Sequence, residues 1–290
     1  RAAAASPDQW VGLNKVPDDI LPVYAIPTTS GTGSEATMGA VIKDPIERVK
    51  TIIAAEGLLP QAVALDPELL LGMPPAVTAA TGIDALTHGI EAYICVWDRG
   101  TRKENARLAV QGVFQWLPKA MAEPDNREAR LGMALAAYHA GVAINQVSVG
   151  NVHAIAHQLG ARYGIPHGQA NALALPPVLK ACVAEAESAL AELAVVTDVS
   201  DAASPAARAQ ALIEAVKGTS ARDTEYTVAP ETNPETGLPF HEWFIEFEKE
   251  PEDLTQFIHK MDEALQNQNS YYKDLIQGKV LKPLEITKVK

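Results

Sequence analysis

The sequence concentrates side chains that can bind a metal in two short segments. Asp84 and His88 are four residues apart, and His153 and His157 repeat that spacing. On a helix, this spacing places both members of a pair on one face, one turn apart. His167 follows in a Pro-His-Gly sequence that favours a turn. Carboxylate and neutral imidazole groups bind divalent first-row metals such as Fe²⁺ and Zn²⁺, so the pattern indicates a metal site.

A structural interpretation of the same residues stays open at this stage. A buried histidine is usually a hydrogen-bonded core residue, and an Asp/His pair at this spacing is often a contact on a helix surface. The metal site is favoured because the segments around these residues are otherwise apolar. Polar side chains on apolar helices need partners when they are buried.

A second candidate segment is rich in small and hydroxylated residues. Residues 28–35 read TTSGTGSE, and such a turn can hold phosphate or ribose through its hydroxyl and N–H groups. It also looks like the phosphate loop of adenylate-forming enzymes. Those loops carry a lysine a few residues later, whereas the next lysine here is Lys43, which counts against that reading.

The elements that position these residues are mostly helical. Short apolar strands are predicted at residues 23–26 and 62–65, before a long Ala-rich stretch at 75–217 with apolar residues three and four apart. We expect breaks in the helical stretch at Asp125, Gly150, 164–166 and 204–205.

The composition changes sharply near residue 217. Residues 1–217 contain 45 alanines and residues 218–290 contain 3, whereas 8 of the 16 aromatic residues fall in the last 73 positions. This indicates two units of different origin with a seam at 217–220. The tail predicts a β-α-β order, with alternation at 243–247 and again near Leu284 and Ile286. A helical apolar face is predicted between them at Leu254, Phe257, Ile258, Met261 and Leu265.

Charge and composition exclude several classes of function. The 290 residues carry a formal net charge of −12, which disfavours nonspecific binding to nucleic acid or to an anionic membrane. No apolar run reaches the roughly 18 residues of a membrane-spanning helix. The chain has only two cysteines, Cys95 and Cys182, so a disulfide scaffold is excluded and a cytoplasmic location is predicted.

Three motifs together resemble the iron-dependent, group III alcohol dehydrogenases. They are PTTSGTGSEAT at 27–37, TAATGIDALTHGIEAY at 78–93 and GNVHAIAHQLGARYGIPHGQANA at 150–172, in collinear order over about residues 8–217. The resemblance implies a dinucleotide-binding α/β domain followed by an all-helical metal domain, with the site in the cleft between them. It also implies hydride transfer between a small alcohol or aldehyde and NAD or NADP.

The resemblance assigns roles to individual residues. The metal ligands, for Fe²⁺ or Zn²⁺, would be Asp84, His88, His153 and His167. The catalytic histidine near the nicotinamide and substrate would be His157. The residues that contact NAD(P) would be Thr28, Thr29, Thr32 and Lys50. A homodimer is compatible with this reading, and the identity of the alcohol stays open.

The chain departs from the family pattern at both ends. The Gly-Gly-Gly-Ser pyrophosphate turn that precedes these motifs in the family is not in the sequence, so we expect a truncated and weakly active dehydrogenase. Residues 222–290 resemble part of the C-terminal domain of the bacterial branch of the auxin-responsive acyl-amido synthetase family. No catalytic residue is expected in this tail, and its His241 and His259 are predicted to be structural or solvent-facing.

The predicted fold is therefore mainly α, with a small α/β unit at the end. We expect a partial dinucleotide-binding domain at 1–70, a helical metal-binding domain at 71–217 and a C-terminal unit of different origin at 218–290. The favoured function is a metal-dependent NAD(P) alcohol dehydrogenase. The alternatives are a fragment of an adenylate-forming acyl-amido synthetase and a noncatalytic metal-binding remnant.

Overall fold

The chain divides into two compact units at the point where its alanine content drops. A computed structural model describes residues 7–44, 49–97, 99–220, 226–231, 240–245, 254–268 and 285–288. The two units are Arg1–Ser220 and Ala221–Lys290. The finer division into domains at 1–70, 71–217 and 218–290 stays a prediction.

Five short strands precede the helices in the first unit. They are β1 (Gly12–Leu13), β2 (Tyr24–Ala25), β3 (Gly39–Asp44), β4 (Val49–Ala54) and β5 (Ala62–Val63). One sheet has the order β1-β4-β3, with β1 parallel and β3 antiparallel to β4. β2 pairs in parallel with β5. These two strands lie within the apolar strands predicted at 23–26 and 62–65, and each is two residues long rather than four. The β3–β4 hairpin was not predicted, although β4 is rich in the β-branched residues that favour strands.

The rest of the first unit is helical, which confirms the mainly α prediction. The helices in the described residues are α1 (Pro75–Ile94), α2 (Arg102–Ala122), α3 (Arg127–Val147), α4 (Asn151–Tyr163), α5 (His167–Ala181), α6 (Val183–Val196) and α7 (Pro205–Ser220). The predicted breaks fall between these helices. A break between α1 and α2 was missed. There, the buried guanidinium of Arg102 donates to the carbonyls of Ala92 and Tyr93, at 2.6 and 3.0 Å, and satisfies the free end of α1.

Small residues let the helices of the core approach closely. A Cβ at Gly82 would lie 2.6 Å from Leu117 of α2, and one at Gly89 would lie 2.8 Å from Val110. α1 is therefore buried on most of its surface, and the core around it consists largely of alanine, leucine and valine side chains. The alanine richness of the sequence follows from this packing, because larger side chains would hold the helix axes apart.

α4 reverses direction into α5 through a glycine. Gly164 ends α4 in the left-handed conformation, with φ at 73°, which glycine adopts without steric cost. Pro166 then precedes the first residue of α5, so the turn places His167 at the start of that helix. His153 and His157 lie on α4, so the reversal brings the three histidines to neighbouring elements.

The second unit contains the predicted β-α-β order and one further strand. Its described elements are β6 (Tyr226–Glu231), β7 (Phe240–Ile245), α8 (Leu254–Gln268) and β8 (Glu285–Lys288). β7 lies between β6, which is antiparallel, and β8, which is parallel.

Parts of the tail prediction fall beyond the described residues. The stretch at 230–237 contains two prolines and a glycine, which favours a loop. Its first two residues instead end β6, and 232–237 lie outside the described residues. The side chains proposed as the apolar face of α8 at Phe257, Met261 and Leu265 are also outside them. The solvent-facing position of His259 is confirmed, because it is 71% exposed.

Among the described residues, no helix combines the length and the apolar character that a membrane crossing needs.

We predict that Gly168→Ala destabilises the protein although alanine is the better helix former. A Cβ at residue 168 would lie 2.0 Å from the carbonyl oxygen of Ala80, so α5 would have to move away from α1. Overpacking of this kind costs about 1–3 kcal/mol, which exceeds the roughly 0.5–1 kcal/mol gained from helix propensity. Urea unfolding measures the change.

The control is Gly72→Ala, because no atom of the described residues other than its chain neighbours lies within 4 Å of a Cβ there. Its free energy of unfolding should change by less than about 0.5 kcal/mol. If Gly168→Ala is as stable as this control, the close approach of α5 to α1 is wrong.

Candidate metal centre

A carboxylate and two imidazoles are buried inside the helical core. Asp84 and His88 lie on one face of α1, as their spacing predicts, and His153 lies near the start of α4. Their exposed fractions are 3%, 5% and 1%. Such burial of polar side chains in an alanine-rich core requires partners for each of them.

The predicted ligands converge on Asp84. The Nε2 atoms of His153 and His167 are both 3.3 Å from Asp84 Oδ1, and Nε2 of His88 is 3.9 Å from it. The ring of His88 stacks on that of His153 with centroids 4.3 Å apart. The structure therefore brings together the four residues named as ligands from the sequence. His167 is the most accessible of them, with 30% of its side chain exposed.

The distances between these atoms suit a divalent metal. Four ligands at about 2.1 Å from a tetrahedral ion are about 3.4 Å from one another. The donor atoms of Asp84, His88 and His153 all lie within 4.8 Å of each other, and His167 contacts this group through Asp84 Oδ1 at 3.3 Å. Nδ1 of His88 is buried without a hydrogen-bond partner in the described residues. One carboxylate and three imidazoles are donors that Fe²⁺ and Zn²⁺ accept.

The carboxylate and the imidazoles at the centre shift one another's pKa values. Burial alone would raise the pKa of Asp84, but the imidazoles of His88, His153 and His167 outweigh burial and lower it. Burial lowers the pKa of His88 to about 4, against the attraction of Asp84. Burial alone would lower the pKa of His153, but the flanking carboxylates of Asp84 and Glu91 outweigh burial and raise it to about 9. The site thus holds ionised carboxylates at neutral pH, which favours a cation.

Two further buried residues belong to the centre and were missed in the sequence. Glu91 accepts a hydrogen bond from Nδ1 of His153 at 2.6 Å. Asn171 donates to Asp84 Oδ1 at 2.7 Å and is fully buried. Helical spacing could have found both, because Glu91 lies seven residues after Asp84 on α1 and Asn171 lies four after His167 on α5.

His157 and Lys50 lie beside the cluster. The ring of His157 stacks on that of His167 with centroids 5.3 Å apart, and it is half-buried one turn along α4 from His153. Burial, together with the neighbouring charge of Lys50, lowers the pKa of His157 to about 4. Nζ of Lys50 on β4 is 3.5 Å from Nδ1 of His167, across 117 positions of sequence.

The small residues of the 28–34 turn serve packing between elements. A Cβ at Gly31 would lie 2.6 Å from the carbonyl oxygen of Thr81 on α1. Gly33 adopts φ of 62° and lies against Gly141 on α3, where its own Cβ would be 2.5 Å from a Cα. The structure shows that these glycines let the turn lie against two helices.

The threonines of this turn are more exposed than Ser30, which is 2% exposed. Thr28 and Thr32 are exposed, and Thr29 is half-buried. The hydroxyl oxygen of Thr32 accepts hydrogen bonds from the N–H and the hydroxyl of Ser34, at 3.2 and 2.9 Å. The turn is adjacent to the metal cluster along α1, because Thr81 is one turn before Asp84. A role for these threonines in cofactor binding stays a prediction.

Comparison with known proteins assigns this arrangement to a class and then to a family. A helical domain with a buried Asp/His cluster is an arrangement typical of metal-binding proteins. Residues 78–224 match the "Fe-containing alcohol dehydrogenase family, C-terminal". Residues 2–67 match "Iron-containing alcohol dehydrogenase". The first match alone covers more than half of the chain. The chain therefore belongs to the iron-containing alcohol dehydrogenase family.

Relatives of known structure and function support this assignment. An NAD-dependent methanol dehydrogenase of Bacillus methanolicus is 42% identical over 171 residues, which are 59% of this chain and 45% of that protein. The crystal structure of a 1,3-propanediol oxidoreductase superposes with a TM-score of 0.71 at 36% identity, covering 76% of this chain and 58% of that one. An alcohol dehydrogenase from Oenococcus oeni has a TM-score of 0.71 at 33% identity, covering 74% and 56%. This chain thus spans about half the length of these relatives.

The tail matches a different family. Residues 207–290 match the "GH3 family C-terminal domain", which supports the expectation of a second origin for the end of the chain. The two matches overlap at 207–224, and α7 at Pro205–Ser220 lies mostly within that overlap.

We predict that Glu35→Gln changes how stability depends on pH. Glu35 follows the threonine turn, is 5% exposed, and its Oε1 has no hydrogen-bond partner in the described residues. Burial raises its pKa, so the folded state binds its proton more tightly than the unfolded state does. The stability of the wild type should fall, relative to Glu35→Gln, as the pH rises from 4 to 8.

Urea unfolding of both proteins across this pH range measures the difference. Two curves that stay parallel would show that the Glu35 carboxyl is not desolvated in the folded protein.

Proposed function

We propose that this chain carries the metal centre of an NAD(P)-linked alcohol dehydrogenase that interconverts a small alcohol and its aldehyde. The observation that carries the proposal is the convergence of three imidazole nitrogens on the buried Asp84 carboxylate, at 3.3, 3.3 and 3.9 Å. Membership of the iron-containing alcohol dehydrogenase family supports it. The similar methanol dehydrogenase is described as NAD-dependent, which favours the same cofactor here.

The proposed ligands come from three helices. Asp84 and His88 of α1, His153 of α4 and His167 of α5 would hold Fe²⁺ or Zn²⁺. Asp84 supplies the negative charge, and Asn171 holds its Oδ1 in place from 2.7 Å. The partial exposure of His167 leaves one side of the centre open to substrate, whereas the other ligands are closed off by the core.

The chemistry divides between the bound groups and the protein. When bound, the metal supplies a Lewis acid that polarises the substrate oxygen, and the nicotinamide supplies the hydride acceptor or donor. The side chains orient the reacting groups and exclude water from the buried side. His157 is half-buried beside His167 at the open side of the centre, where its imidazole can relay the hydroxyl proton.

The cofactor would lie along the turn that contains Thr28, Thr29 and Thr32. This turn is held against α1 one helical turn from Asp84, and its exposed hydroxyl groups can accept or donate hydrogen bonds to ribose or phosphate. Lys50 is proposed to attract the anionic part of the cofactor with its positive charge. This charge lies beside the centre, because Nζ is 3.5 Å from Nδ1 of His167. The proposal leaves the choice between NAD and NADP to measurement.

Location and assembly are part of the same proposal. Cys95 and Cys182 are both free thiols, which agrees with a cytoplasmic location. A homodimer stays a prediction, and size measurement in solution tests it.

We predict that the purified chain binds one Zn²⁺, or one Fe²⁺ under anaerobic conditions, and that His153→Ala weakens binding severely. The loss should exceed the roughly 10–100-fold that removal of an outer hydrogen-bond partner costs, because a ligand itself is removed. Competition titration with a chromophoric chelator measures the affinity.

His139→Ala is the matched control for this titration. It removes a histidine of α3 whose Nδ1 bonds to Asn105 at 2.9 Å, away from the cluster. Its affinity for Zn²⁺ should equal that of the wild type. A folded wild-type chain without stoichiometric metal would contradict the proposed centre.

We predict that any alcohol oxidation by this chain depends on metal and on His153. Oxidation of ethanol and 1,3-propanediol with NAD⁺ and with NADP⁺, followed at 340 nm, should be abolished by a chelator and by His153→Ala. Calorimetric titration with NADH and NADPH measures cofactor binding separately. Tight metal binding without cofactor binding or turnover would favour the noncatalytic metal-binding alternative.

A further inference from the structure

A buried glutamate lies directly behind the proposed ligand His153. Glu91 is 6% exposed and lies on the same face of α1 as Asp84 and His88, two turns after Asp84 and one turn after His88. Its carboxylate faces the start of α4 rather than the metal centre itself. Because a buried carboxylate is costly unless it is fully bonded, its partners indicate what it is for.

Three N–H donors converge on this carboxylate. Oε2 accepts from the backbone N–H of Gly150 at 2.9 Å and from Nδ1 of His153 at 2.6 Å. Oε1 accepts from the backbone N–H of Val152 at 2.6 Å. The residue before α4, Gly150, offers no side-chain cap, so Glu91 of α1 satisfies the free N–H groups at the start of α4.

The hydrogen bond to Nδ1 determines which nitrogen of His153 can bind a metal. A carboxylate only accepts, so Nδ1 carries a hydrogen and Nε2 is the nitrogen left for coordination. Nε2 is the atom that lies 3.3 Å from Asp84 Oδ1. The same carboxylate also holds the backbone of residues 150 and 152, so it fixes both the ring and the turn of helix that carries it.

The approach of Glu91 requires a glycine at residue 150. A Cβ there would lie 2.7 Å from Oε1 and 2.9 Å from the carboxyl carbon of Glu91. Any larger residue would push the carboxylate away from the N-terminus of α4. Gly150 is thus a second residue through which the hydrogen bond between Glu91 and His153 can be tested.

We propose that Glu91 is a positioning residue that holds His153 in the ring orientation and tautomer needed to bind the metal. The inference rests on the proposed metal centre. Glu91 does not itself touch the metal or the substrate in this proposal; it acts through Nδ1 of His153 and through the start of α4.

The test is the Zn²⁺ affinity of Glu91→Gln. A glutamine has one oxygen for three donors, so it loses the charge and leaves one N–H group without an acceptor. We expect Zn²⁺ to bind about 10–100-fold more weakly, as for other outer partners of metal-binding histidines. Glu192→Gln is the matched control, because Glu192 accepts from Tyr93 near the end of α1 and lies outside the centre. It should bind Zn²⁺ like the wild type.

A spectroscopic measurement separates positioning from a general loss of stability. In the zinc-loaded wild type, the Nδ1 proton of His153 should give a downfield NMR signal that is protected from exchange with water, assigned through its loss in His153→Asn. Glu91→Gln should shift this signal and shorten its lifetime, while Glu192→Gln leaves it unchanged. Thermal unfolding of the metal-free variants measures stability separately.

The outcomes distinguish the two proposals. If Glu91→Gln lowers only the unfolding temperature and binds Zn²⁺ like the wild type, the positioning role is overturned and the metal centre stands. If the folded wild type does not bind Zn²⁺, both the proposed metal centre and the proposed role of Glu91 are wrong. Should Glu91→Gln not fold, Gly150→Ala carries the same test, because its Cβ displaces the carboxylate: weakened Zn²⁺ binding supports the proposal and unchanged binding overturns it.

Discussion

The burial of the Asp84 carboxylate is the constraint on which the arrangement of the first unit depends. A carboxylate inside an alanine-rich helical core is stable only if hydrogen-bond donors or a cation neutralise it. Here an amide and three imidazoles surround it, and they come from α1, α4 and α5. These three helices must therefore meet at one point, and the start of α5 must face the middle of α1. The rest of the helical packing surrounds that junction.

Small residues make the junction possible. Gly168 lets the backbone of α5 approach Ala80, Gly31 lets the threonine turn approach Thr81, and Gly150 lets Glu91 reach the start of α4. All three contacts lie close to Asp84 or to one of its partners. A Cβ at any of them would lie 2.0–2.7 Å from the nearest atom of the neighbouring element, so atoms there would have to shift. A shift of about 1 Å is enough to impair a catalytic geometry. The glycines of this chain thus act on the metal centre through the packing of the elements that carry it.

Buried acidic groups form two layers around His153. Asp84 lies on the side of its Nε2 atom, and Glu91 lies on the side of its Nδ1 atom. The inner carboxylate is available to a cation, whereas the outer one is occupied by N–H donors. This arrangement of carboxylate, histidine and metal is common in metalloproteins, where the outer partner sets the ring orientation and basicity of the ligand. Here the outer carboxylate also accepts from the N–H groups at the start of α4, so the proposed metal centre would couple metal binding to the stability of α4.

Residue spacing in the sequence predicts most of the helices and the helix faces that carry the proposed ligands. Helical geometry places Asp84 and His88 on one face whatever surrounds them, and the same spacing places Glu91 after Asp84 on α1 and Asn171 after His167 on α5. The break in alanine content marked the boundary that the structure has between residues 220 and 221. How these faces meet depends on contacts between segments that are far apart in the sequence. The contact between Lys50 and His167 spans 117 positions, and β4 pairs with the distant strand β1 as well as with its neighbour β3. Spacing along a chain determines which side chains share a face of one helix. The crossing of two helices depends instead on the volumes of side chains that are distant in sequence. Gly168 of α5 is an example, because a Cβ there would collide with Ala80 of α1.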